Sequence, residues 1–101
     1  MPILHSVFFY FKEDIPGDII LAQKESIIHD LGKIEEIWDV RAGAPAGVQR
    51  DVVDNSYGMS LHLLTHNLET LSKYQSHELH VNFITMYKPY WKAIKVYDTE
   101  V

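Results

Sequence analysis

The stretch Ile3-Leu-His-Ser-Val-Phe-Phe-Tyr-Phe-Lys12 constrains this chain more than any other segment. It is rich in β-branched and aromatic residues and is bounded by Pro2 and the turn cluster Glu13, Asp14, Pro16 and Gly17, so it predicts a strand. Alternation sets His5, Val7, Phe9 and Phe11 on one face and Leu4, Ser6, Phe8 and Tyr10 on the other. Both faces are largely apolar, so the strand needs cover on both sides. The whole chain has 101 residues, read as a single domain over 1–101. A chain of that size buries roughly 65% of its unfolded surface, which leaves modest stability unless a partner adds cover.

The remaining elements follow from period and punctuation. Asp18–Leu31 predicts a helix, with Gly32 as a left-handed C-terminal cap. Ile37–Ala42 predicts a second strand, residues 44–55 a long connection, and Tyr57–Thr65 a third strand with Met59, Leu61 and Leu63 on its apolar face. Asn67 is placed to cap a short helix over Leu68–Gln75, and Ser76 to cap another starting at His77. On that second helix His80, Phe83, Ile84, Tyr87 and Trp91 share one face, and Pro89 should end it before Trp91. Ala93–Asp98 predicts the last strand, with Ile94, Val96 and Asp98 on one side.

The order βαββααβ points to an α+β, ferredoxin-like arrangement: a four-stranded antiparallel sheet, strand 1 central beside strand 4, and all helices on one face. The other face, carrying Phe8, Tyr10, His62, Leu64 and Tyr97, is then uncovered. An aromatic sheet face of that extent predicts a homodimer that buries the two sheets against each other.

Composition removes several classes of function. There is no cysteine, which excludes thiol catalysis, cysteine zinc sites and iron–sulfur clusters, and fits a reducing, cytoplasmic setting. Nine basic against fourteen acidic residues, a net charge of −5, argue against a nucleic-acid partner, because phosphate contacts need a basic face. The N-terminal apolar run Val7–Phe11 is about a third of a membrane span, so no membrane segment is expected.

The polar residues inside apolar stripes are the candidates for chemistry. His77 and His80 could share a metal ion on a continuous helix, but no third ligand is spaced nearby, so no metal and no cofactor are expected. His80 sits on the apolar stripe, either as a hydrogen-bonded core histidine or as a pocket residue. Tyr74 and His80 would lie roughly 240° and 9 Å apart on one regular helix, so they can meet only if the helix breaks, as capping at Ser76 implies. His5 and Asp98 fall at one end of the sheet, and an inward carboxylate needs His5 or His80 to satisfy it. Such a pair can merely fix register, or it can orient a histidine as base with Tyr74 donating to developing oxyanion charge. The expected pocket is completed by Val7, Phe9, Met59, His77, Phe83, Tyr87 and Trp91, lined for a small apolar or aromatic ligand.

Three segments, His5-x-Val-x-Phe-x-Phe-Lys12, Tyr74-x-x-His77-x-x-His80-x-x-Phe83 and Tyr87…Trp91-x-Lys…Tyr97-Asp98, resemble the stress-responsive A/B barrel family over nearly the whole chain. The resemblance implies a dimeric α/β barrel built from ferredoxin-like protomers, in a family many of whose members have no assigned reaction. It also implies an alternative. In the plant olivetolic acid cyclase branch, which closes a polyketide ring by aldol condensation, the residues matching His80 and Tyr74 are general base and carbonyl-polarising donor. Those matching His5 and Asp98 line the same pocket. Met59 stands where that branch has a further pocket histidine, and Glu78 where the family has proline.

Overall fold

The computed structural model describes residues 1–101. Strand β1 spans Ile3–Phe11, helix α1 Gly17–His29, β2 Asp39–Gly43, β3 Met59–Thr65, α2 Leu68–Ser76, α3 Glu78–Tyr87 and β4 Trp91–Glu100, with short 3-10 turns at Leu31–Lys33 and Lys88–Tyr90. The sheet is antiparallel in the order β2-β3-β1-β4, so β1 is central beside β4 as the βαββααβ order predicts. This is the ferredoxin-like α+β architecture, with the three α-helices on one face.

Alternation along β1 is clean. Ile3, His5, Val7 and Phe9 are buried under the helices, together with Met59, Leu61, Leu63 and Thr65 of β3. Ile27, Leu31, Ile34, Leu71 and Tyr74 close the core from the helical side. Full burial of an apolar side chain of this kind stabilises by about 1.5–3 kcal/mol, so this layer holds the fold. β4 is the exposed edge. Beyond Trp91 every residue of it is exposed, including Ile94 and Val96 on the helix side.

Several boundaries differ from the sequence expectation for local reasons. α1 ends at His29, and Gly32 does not adopt the left-handed cap; Gly47 is the glycine with positive φ. The Asp30 N–H closes α1 on the Ser26 carbonyl, and the chain then tightens into the 3-10 turn (Lys33 N–H to Asp30, Ile34 N–H to Leu31). Gly32 there lies against Val40, which a Cβ would touch at 3.4 Å. β2 begins at Asp39 rather than Ile37, because the Ile37 amide closes a turn onto the Ile34 carbonyl. β3 begins at Met59. Gly58 precedes it with its N–H on the Phe9 carbonyl, and a Cβ at that position would stand 2.4 Å from the Phe11 ring, so a close approach requires glycine.

The break between α2 and α3 is the fold's main contribution to the site. Asn67 and Thr70 form a reciprocal capping box that starts α2. The expectation that Ser76 caps α3 is corrected. Its hydroxyl donates back to the Ser72 and Lys73 carbonyls and closes α2. His77 is the cap, extended at φ −64°, ψ 141°, with Nδ1 accepting the Leu79 N–H at 3.0 Å. A histidine cap turns the chain here without a proline.

Candidate functional site

The turn at His77 brings together residues that one helix would hold apart. Tyr74, on the last full turn of α2, and His80, on the first turn of α3, have ring centroids 4.6 Å apart. His5 of β1 meets Tyr74 edge-on at 5.9 Å. Between helices and sheet these three border a cavity of about 160 Å³. Val7, Phe9, Leu61 and Phe83 form its apolar floor, and Ile84, Ile94 and Val96 the wall toward β4. A volume near 150 Å³ is what a single benzene ring occupies in a dry apolar cavity, so the space suits one ring or a short acyl group.

Each polar group at the cavity has a defined state. Tyr74 is fully buried, and its hydroxyl has no hydrogen-bond partner in the protein. Burial pushes that phenol well above the ordinary tyrosine range, so it stays protonated and can only donate or accept as a neutral hydroxyl. His80 Nδ1 lies 2.9 Å from the Gln75 carbonyl. A carbonyl accepts, so Nδ1 carries the proton and the lone pair of the neutral ring is at Nε2. Burial lowers the His80 pKa, the bond to Gln75 raises it and the nearby His5 lowers it again, with a net fall. His80 is therefore neutral at pH 7 and able to accept a proton.

Asp98 is directly opposite His5 in the β1–β4 register, and its carboxylate accepts from His5 Nδ1 at 2.5 Å. The inward carboxylate is thus satisfied by His5, not by His80. His5 is 4% exposed, and with Nδ1 so held its Nε2 is left open. Two imidazoles with tethered Nδ1 atoms flank one protonated phenol, an arrangement able to polarise a carbonyl and move a proton beside it.

Of the expected pocket residues, Val7, Phe9 and Phe83 line this cavity with His5, Tyr74 and His80. The other four sit elsewhere, each for a visible reason. His77 is occupied as the α3 cap. Tyr87 pairs its hydroxyl with Ser26 Oγ at 2.8 Å. Trp91 donates its indole N–H to Gln23 Oε1 at 2.7 Å, and Gln23 Nε2 in turn contacts Met59 Sδ at 3.5 Å, so that chain completes the core on the α1 side. Leu61, Gln75, Ile84, Ile94 and Val96 were not anticipated at the site. Ile94 and Val96 share a strand face with Asp98, which was signal enough, but Gln75 acts through its backbone carbonyl and left no trace in residue type.

The open face of the sheet presents Phe8, Tyr10, His62, Leu64 and Tyr97, with Tyr97 59% exposed. Tyr57, from the connection before β3, stands edge-on to Phe8 at 5.0 Å, and the Lys95 ammonium lies 5.3 Å from the Tyr10 ring centre. His62 has both ring nitrogens engaged, by Ser6 Oγ at 2.9 Å and Ser60 Oγ at 3.1 Å. No helix is long and apolar enough to cross a membrane.

Comparison with known proteins bears on fold and family. The model of the stress responsive A/B barrel domain matches residues 3–101. No curated protein sequence matches the chain. Among solved structures, a dimeric ferredoxin-like protein of unknown function from Thermobifida fusca superposes with a TM-score of 0.86 at 16% identity, covering 100% of this chain and 92% of that one. A Dabb family protein of ferredoxin-like fold from Mesorhizobium loti gives 0.80 at 16% identity, covering 99% and 96%. The hydroxynitrile lyase of Passiflora edulis gives 0.85 at 13% identity, covering 99% and 93%. At these identities the structural likeness speaks for the fold alone.

Proposed function

The chain belongs to the stress responsive A/B barrel domain family, and from that premise we propose that it works as a homodimer whose protomers each bind one small aromatic or apolar carbonyl compound between His5, Tyr74 and His80. The observation that carries the ligand is Tyr74: the residue lines a ring-sized cavity, and its hydroxyl is fully buried and unpartnered within the protein. An unsatisfied buried hydroxyl costs about 1–3 kcal/mol, and a ligand acceptor offsets that. Pairing through the open sheet face rests on exposed Tyr97 with half-buried Phe8 and Tyr10 beside it, and on the dimeric ferredoxin-like relatives. The cysteine-free composition favours a cytoplasmic setting.

Calorimetric titration with acetophenone and with ethylbenzene tests the ligand reading, since the two differ by the carbonyl acceptor. Acetophenone should bind about fivefold tighter, the worth of one hydrogen bond, and Tyr74→Phe should erase the difference. Equal affinities in the native protein, or no binding of either, would remove the proposal.

The second reading is a proton-transfer enzyme of the aldol lyase or polyketide-cyclase kind, favoured by the open Nε2 of His80 and by the Tyr74 ring lying 4.6 Å from its own. His80 Nε2 would take a proton from the carbon next to a carbonyl, and the Tyr74 hydroxyl would hold the enolate oxygen. Exchange of the acetophenone methyl protons in D2O, followed by NMR, reads that step directly. Catalysed exchange lost in His80→Gln supports it; exchange no faster than buffer leaves a binding protein.

A further inference from the structure

The cavity does not end at its apolar wall. Ile84 and Ile94 also border a second hollow of about 280 Å³, whose other lining includes Trp91, Lys88 and Lys92. The two hollows share that pair of side chains, and a ligand laid across them would meet one trough between α3 and β4. Helix spacing makes it directional. His80, Ile84 and Lys88 follow at intervals of four residues, so one helix face runs from a neutral imidazole through an apolar step to an ammonium. The strand opposite repeats the order in reverse, from Asp98, occupied by His5, through Val96 and Ile94 to Lys92.

The strand is irregular at Lys92. Tyr10 pairs with Ala93 and Phe11 with Trp91, so Lys92 is the extra residue of a β-bulge. Bulges re-aim side chains: here Trp91 turns inward opposite Phe11, while Lys92, on the face of Ile94 by alternation, lines the same hollow as Ile94. No acidic residue lines either hollow, although acidic residues outnumber basic ones in the chain by fourteen to nine. Two cations at the mouth of an apolar trough complement an anion.

We infer that the ligand is an elongated amphiphile, with a ring or carbonyl head between Tyr74 and His80, an apolar chain along Ile84 and Ile94, and an anionic terminus, carboxylate or phosphate, held by Lys88 and Lys92. This rests on the ligand reading above for the head group and adds chain length and charge. His80 and Lys88 are eight residues apart, about 12 Å along the helix, which sets the span between head and anion.

Calorimetry with 6-phenylhexanoate, 6-phenylhexyl phosphate and the neutral 6-phenylhexanamide tests it, with acetophenone as the head-group control. At low ionic strength at least one anion should bind about three- to tenfold tighter than the amide, because partly exposed ion pairs are individually weak. Lys88→Gln combined with Lys92→Gln, both at exposed positions, should abolish that advantage and leave acetophenone unchanged. The tighter anion identifies the terminus. Acetophenone binding with no preference for either anion, or a preference that survives the double substitution, overturns the elongated ligand and leaves the head-group site standing. Failure of every probe, acetophenone included, overturns both.

Discussion

The two faces of the sheet handle polarity in opposite ways. On the open face, His62 is saturated within its own chain by Ser6 and Ser60, so burial against another sheet would leave neither ring nitrogen unsatisfied. Under the helices, the Tyr74 hydroxyl has no protein partner, and His5 and His80 each commit Nδ1 while leaving Nε2 open. One face is chemically closed and the other chemically open, which is why we propose a permanent neighbour for the first and a ligand for the second. Residues one step apart on β1 serve these two ends.

That contrast can be broken first at Phe8 and Phe9. Phe9→Ala should cost about 3–5 kcal/mol of unfolding free energy at any protein concentration, since Phe9 is 2% exposed in the core. Phe8→Asp should leave a folded protein and convert a dimer to a monomer in sedimentation at low micromolar concentration. A native chain that already sediments as a monomer would remove the interface half of the comparison. Next in size is the β1–β4 pair. Asp98→Ala strips His5 of its carboxylate and should cost about 1.5–3 kcal/mol in urea unfolding, the range for a hydrogen bond to a charged group. No loss would mean the pair contributes nothing to the edge strand.

Tyr74→Phe sharpens the comparison by its sign. Deleting an unpartnered buried hydroxyl should leave stability unchanged or raise it by up to about 1 kcal/mol, while weakening a carbonyl ligand. A clear fall in melting temperature would show the hydroxyl bonded within the fold. The smallest effect is with pH. His80 and His62 both have folded pKa values lowered by burial from the ordinary 6.5, so the unfolded chain takes up protons first. Stability should be flat above about pH 6.5 and fall below it, until the folded histidines also protonate. A urea midpoint that fails to drop between pH 7.5 and 5.5, or a slope that His80→Gln leaves unchanged, would contradict this.

Most of the architecture was legible because it follows from alternation and capping. The element order βαββααβ put Ile3–Lys12 at the centre of the sheet, and the inward Asp98 demanded a histidine partner. Which histidine answered was not legible, since that depends on β1–β4 register, set by pairing over the whole edge. The helix break was readable from capping residues, but its residue was not, because histidine rarely competes with serine as a cap until Ser76 bonds backward into α2. Tyr87 and Trp91 were expected at the pocket from the helical stripe, and Met59 and His77 from strand face and motif. Gln23, a polar residue inside an apolar helix face, instead draws Trp91 and Met59 toward α1.

The central claim is that the turn at His77 creates an open proton acceptor beside a fixed donor, and long-range 1H–15N spectra of the imidazoles test it most directly. At pH 7.5 His80 should show a protonated Nδ1 and a bare Nε2, and acetophenone should shift the His80 resonances while leaving His62 unmoved. A proton on His80 Nε2, or a ligand response at His62 and none at His80, would contradict it.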